Sequence, residues 1–84
     1  MGLSQYLQAI DAVFEAAGFG ASFQPMSGSN YCCKYNGLEV QARQNGGAVN
    51  FNSIDSQFSA TDTLADPTKI QLNGDAMMAY FTGK

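Results

Sequence analysis

Asp55, Asp62 and Asp66 fall within one short stretch of the chain. Three carboxylates in one loop could hold a cation, serve as an acid and a base, or present an anionic patch. Their spacing does not suit the first, because an EF-hand needs acceptors at loop positions 1, 3 and 5 and a bidentate Glu at 12. Nothing supports the second. The sequence has no histidine, so its serines lack an imidazole to activate them, and a Cys-His nucleophile and a Cys/His zinc site are excluded. What remains is a solvated acidic loop or an anionic surface that meets a basic one on a partner. The chain is expected to be no enzyme and to hold no metal or cofactor.

Cys32 and Cys33 are adjacent. Neighbouring strand residues point to opposite faces, so the sulfurs diverge unless the peptide between them is distorted. One buried and one exposed thiol is the expectation, with a strained vicinal disulfide as the alternative. Phe19, Phe23 and Phe58 lie in segments with weak periodicity. Loop aromatics pack back under their loop or stand out as interface anchors. Read as anchors, they join the three carboxylates in a candidate partner-binding set: Asp55, Phe58, Asp62, Asp66, Phe19 and Phe23.

The elements that must position these residues follow from spacing. After Ser4, a good N-cap, the residues Tyr6, Leu7, Ile10, Val13, Phe14 and Ala17 recur at helical intervals, and Gly18 suits a left-handed C-cap. A helix is expected from Gln5 to Ala17. Residues 19–30 are rich in Gly and Ser, with an edge strand expected near Ala21 to Gln24 beside Pro25. The stretch Gly18–Phe23 is no dinucleotide loop, since it follows a helix and Phe23 replaces the third glycine.

Two Asn-Gly pairs mark hairpin turns. A turn at Asn36-Gly37 pairs Tyr35 with Leu38, Cys33 with Val40 and Tyr31 with Ala42, and sets Lys34 against Glu39 on the other face. A turn at Asn45-Gly46 places Ala42 opposite Val49 and Val40 opposite Phe51. Both turns agree on one apolar face, which predicts an antiparallel meander with Cys32, Lys34, Gln41, Arg43, Asn50 and Asn52 outward. Residues 53–67 show neither period and read as a long loop, with a helical turn near Ala60 to Leu64. Asp66-Pro67 resembles an N-cap and first helical position. Ile70 and Leu72 nevertheless alternate with Lys69 and Gln71 as in a short strand, which is the reading favoured here. Asn73-Gly74 then turns into a short helix from Ala76 to Phe81. The fold class is α+β in a single domain, 1–84: an N-terminal amphipathic helix on a three- to four-stranded antiparallel meander, with a short C-terminal helix.

Composition narrows function further. The net charge is -3, with 4 Lys and Arg against 7 Asp and Glu, so scattered cations cannot form a phosphate-binding stripe. Direct nucleic-acid binding and binding to an anionic membrane are disfavoured, and no apolar run nears the roughly 20 residues that span a bilayer. The N-terminal segment lacks the basic and apolar regions of a signal peptide. A cytoplasmic protein, in its own or a host cell, is expected.

In size, acidity and helix-then-meander order the chain resembles the small inhibitors encoded by phages and mobile elements, including anti-CRISPR proteins. The resemblance carries over no residue. It implies a partner that is a protein with a basic, nucleic-acid-binding surface. The rival expectation is a self-assembling structural subunit, a homo-oligomer formed through the amide-rich sheet face or a free strand edge.

Overall fold

The computed structural model describes residues 1–83. Helix α1 spans Leu3–Ala16 and buries Leu3, Tyr6, Leu7, Ile10 and Phe14. Each such side chain contributes about 1.5–3 kcal/mol when withdrawn from water. The N-cap is Gly2, not Ser4: the Gly2 N–H donates to Gln5 Oε1 at 3.1 Å, which satisfies a backbone donor without a capping hydroxyl. At the other end Gly18 adopts φ 71°. Its N–H bonds to Glu15 O at 3.0 Å and that of Phe19 to Phe14 O at 2.8 Å, a Schellman closure. The ring of Phe19 packs edge-on against Phe14 at 5.1 Å, the apolar contact that accompanies this motif.

Five antiparallel strands follow in meander order: β1 (Phe23–Pro25), β2 (Tyr31–Tyr35), β3 (Leu38–Asn45), β4 (Ala48–Ser53) and β5 (Ser59–Thr63). The β2–β3 register is the expected one, Tyr35 opposite Leu38 and Cys33 opposite Val40. Asn36 and Gly37 take φ 53° and 78°, the pair of left-handed residues that a type I′ turn requires.

The β3–β4 register differs from expectation. Ala42 lies opposite Phe51 and Val40 opposite Ser53, because Gly46 and Gly47 form the turn and Asn45 stays in the ladder opposite Ala48. Only Gly46 has positive φ there, 61°, as in a type II′ turn with its glycine at the first central position. The change moves each partner by two residues, so side-chain parity is kept. Val40, Ala42, Val49 and Phe51 remain buried on one face.

Residues expected to form a long loop instead supply β5, and no helical turn forms near Ala60 to Leu64. The segment from Asp66 onward is helical where a strand and an Asn73-Gly74 turn were expected. Asp66 caps a 3-10 turn at Pro67–Lys69, and α2 runs over Ile70–Thr82. Gly74 lies inside α2 because two helices meet there. A Cβ on Gly74 would stand 2.7 Å from Val13 Cγ1 of α1. Met77 and Phe81 of α2 join Leu7, Ile10 and Phe14 of α1 in one core with Cys33, Val40, Val49 and Phe51. Both helices therefore cover the same face of the sheet. The opposite face is open, with Lys34 and Glu39 approaching to 3.9 Å across β2 and β3. Gln41 donates to Glu39 at 3.0 Å and Arg43 to Gln41 at 3.2 Å.

Candidate interaction site

The two edges of the sheet are built differently. In β1, Met26 N–H bonds to Asn30 O at 3.0 Å, which by antiparallel alternation directs the main-chain groups of Gln24 toward β2 and those of Phe23 and Pro25 outward. The outward N–H of Phe23 is taken by Asp11 Oδ1 at 2.9 Å, and Pro25 has none to offer. This edge is closed by one carboxylate and one proline.

At the other edge, residues 54–66 form a rim around β5 that is exposed except at buried Leu64 and half-buried Phe58, Ala60 and Asp62. Its first part is a turn held by Ser53, whose buried hydroxyl accepts the Phe58 N–H at 2.8 Å and lies 2.7 Å from Asp55 Oδ1. Asp55 also accepts the Gln57 N–H at 3.0 Å. The Ser53 hydroxyl, followed by the Gln57 N–H, holds the Asp55 carboxyl below the ordinary carboxylate range. Ile54 stands beside it, 62% exposed. Leu38, Ile54, Asp55 and Tyr80 share a shallow hollow of about 240 Å³. At the far end Asp66 accepts from Thr68 Oγ1 at 2.7 Å and Thr68 N at 3.0 Å. The Thr68 hydroxyl, then its N–H, lowers the Asp66 carboxyl in the same way. Both carboxylates are thus fixed in orientation and kept ionised at exposed positions.

The six residues singled out from the sequence do not gather in one place. Asp55, Phe58, Asp62 and Asp66 belong to the β5 rim. Asp55 and Asp66 lie beyond opposite ends of the strand, so they are no single acidic cluster. Asp62 turns to the inner face, half-buried, and accepts from Asn73 Nδ2. Phe58 is half-buried against Tyr80, ring centres 5.7 Å apart. Phe19 and Phe23 lie toward β1. Phe19 packs on Phe14, Tyr35 and Phe81, and Phe23 is buried against Phe14 and Phe51. Phe23 belongs to the core and the half-buried Phe19 packs against it, so neither takes part in the rim.

Ile54, Ser59, Thr61 and Thr63 belong to the rim without having been singled out. Ile54 carried one legible signal, an aliphatic residue just beyond the strand. The three hydroxyl residues carried none, because their importance comes from β5 being an edge.

Elsewhere, an open groove of about 750 Å³ separates the end of α1 from β1 and β2, lined by Asp11, Glu15, Phe19, Gln24, Cys32 and Lys34. Its Asp11 carboxylate is already engaged by the Phe23 N–H, and burial raises it above its ordinary range. Cys33 is buried and Cys32 half-exposed, and both are free thiols. Burial, with Asp11 and Cys32 nearby, pushes the Cys33 thiol up to about 12. Among the described residues no group of His, Cys, Asp and Glu has the arrangement of a metal site, and no helix is long and apolar enough to cross a membrane. No protein-family model, curated protein or solved structure matches the chain.

Proposed function

We propose that the chain is a non-enzymatic protein-binding domain that covers a basic surface of its partner, in the manner of small phage-encoded inhibitors that occlude nucleic-acid-binding sites. The observation that carries this reading is the corner of the rim at Ile54 and Asp55. An aliphatic side chain, mostly exposed, stands next to a carboxylate oriented by Ser53 and Gln57. Protein interfaces combine such elements, an apolar anchor with a charge that needs little ordering on binding. Asp66 repeats the fixed charge at the other end, and the net charge of -3 steers the whole molecule toward cationic surfaces.

The test is capture of partners by immobilised protein at low and high salt, beside a variant carrying Ile54→Ser, Asp55→Asn and Asp66→Asn. Asn retains the acceptor oxygen needed in the turn and at the N-cap, so the fold should survive while the charge is lost. The reading expects a basic protein held by the native chain at low salt, released by salt and missed by the variant. Equal capture by the variant would remove the rim from consideration.

A further inference from the structure

We infer that β5 takes an extended, cationic segment of a partner protein as an added strand, paired through its free edge. This rests on the protein-binding reading above and specifies how the partner is held. The Ser53 N–H bonds to Phe58 O at 2.9 Å, and the Leu64 N–H to Gly47 O at 2.9 Å. Both pairs belong to the same ladder as Val49 with Asp62 and Phe51 with Ala60. Alternation in an antiparallel pair then turns the N–H and C=O of Ser59, Thr61 and Thr63 away from β4. All three residues are exposed. The Thr63 carbonyl accepts the Asp66 N–H at 3.0 Å; its N–H and both groups of Ser59 and Thr61 point outward in the spacing that an incoming strand needs.

The other edge shows what protection looks like in this molecule. There Asp11 takes the outward N–H of Phe23, and Pro25 removes the next one. The edge at β5 has neither device. It has instead a charge pattern that selects the occupant. Asp55 precedes the strand, Asp62 faces inward along it, and Asp66 follows it. A second copy paired antiparallel about Thr61 would bring Asp55 of each copy toward Asp66 of the other and the two Asp62 side chains close together. A strand bearing Lys or Arg meets attraction at those same points.

The experiment is an NMR titration of the isotopically labelled protein with the blocked peptide Thr-Lys-Thr-Lys-Thr-Lys-Thr. Expected are shift changes centred on the amides of Ser59, Thr61 and Thr63, with slowed hydrogen exchange there. Thr61→Pro removes an outward N–H that the β4 ladder does not use, and should weaken binding about tenfold or more. A peptide methylated at each backbone nitrogen tests the same point without altering the protein, and should not bind. Salt-sensitive binding that survives both changes, or that perturbs only Ile54 to Ser56 and Asp66, overturns strand addition and leaves the acidic-rim reading standing. A peptide that does not bind at all overturns strand addition, while the acidic-rim reading stands or falls on the capture experiment. Concentration-dependent broadening of the same three amides without peptide would identify the occupant as a second copy and overturn the inference.

Discussion

The side-chain amide of Asn73 donates to the hydroxyl of Tyr6 across 3.1 Å, joining α2 to α1 in the interior. The same nitrogen donates to Asp62 of β5. Asn73 is 5% exposed and Tyr6 fully buried, so one amide of α2 satisfies polar groups from two other elements at once. Burial raises the Tyr6 hydroxyl above its ordinary range, the Asn73 bond working against the shift and the nearby Asp62 and Asp66 charges adding to it. Removing Asn73 strands its partners away from water, whereas removing the Tyr6 hydroxyl takes away a single group. Asn73→Ala is expected to cost about 1–3 kcal/mol in urea unfolding, and Tyr6→Phe about 0.5–1.5 kcal/mol. Equal, negligible losses would show that the amide holds nothing together.

Gly74 sets the distance between the helices. An alanine there gains up to about 1 kcal/mol of helix propensity but drives its Cβ to 2.7 Å from Val13 Cγ1. Overpacking at such a site costs about 1–3 kcal/mol. Gly74→Ala should therefore lower the melting temperature, and Val13→Ala in the same chain should recover much of the loss. A simple sum of two losses would mean that the helices do not touch at this point.

The turn at Gly46 and Gly47 gives a pair of opposed expectations. Gly46→Ala places an L side chain at φ 61° and should destabilise by about 1 kcal/mol or more. Gly47→Ala has open space around it and no positive φ, and should be near neutral. Equal losses at the two positions would show that Gly46 is not the residue on which the turn depends. Chemical denaturation of the two single variants decides it.

The thiols should separate cleanly. Cys33 is wholly buried with its thiol pushed up to about 12, whereas Cys32 is half-exposed. Iodoacetamide at neutral pH is expected to label Cys32 in the folded protein and to reach Cys33 only under denaturing conditions. Rapid double labelling would contradict the placement of β2.

Acid should destabilise the fold partly through Asp55 and Asp66. Their folded-state carboxyls lie below the ordinary value of 3.8. The unfolded chain therefore takes up protons first, so their contribution is present above that value and fades as pH falls through the lower folded one. Asp11 is raised by burial and works in the opposite sense, its penalty relieved as pH falls through its folded value toward the ordinary 3.8. Asp55→Asn with Asp66→Asn should flatten the acid limb of a stability–pH curve, whereas Asp11→Asn should steepen it. Superimposable curves for all three proteins would refute both assignments.

The sequence was most informative where local pattern and burial coincide. Tyr6, Ile10 and Phe14 at helical spacing, and Cys33, Val40 and Phe51 on one parity, announced α1 and the inner face of the meander. It was least informative at two places. Ser-Ala-Thr-Asp-Thr offers only Ala60 to the core, since an edge strand is buried on neither its free side nor its outer face, and so β5 read as loop. Asn73-Gly74 carries the dipeptide of a turn, but each residue is set by a long-range contact, Asn73 by Tyr6 and Asp62 and Gly74 by Val13. Local propensity gives way to such contacts. The candidate site divided for the same reason. Asp55 and Asp66 reached the surface as read, while Phe19 closes a helix end and Phe23 fills the core.

The pairing of Asp11 with the Phe23 amide, next to Pro25, limits how large any edge-built assembly can become. A fibril needs every molecule to be joined on its left and on its right. With β1 shut, this molecule has only one side to give: whatever attaches to β5 ends the array, and self-association by that route terminates at a pair.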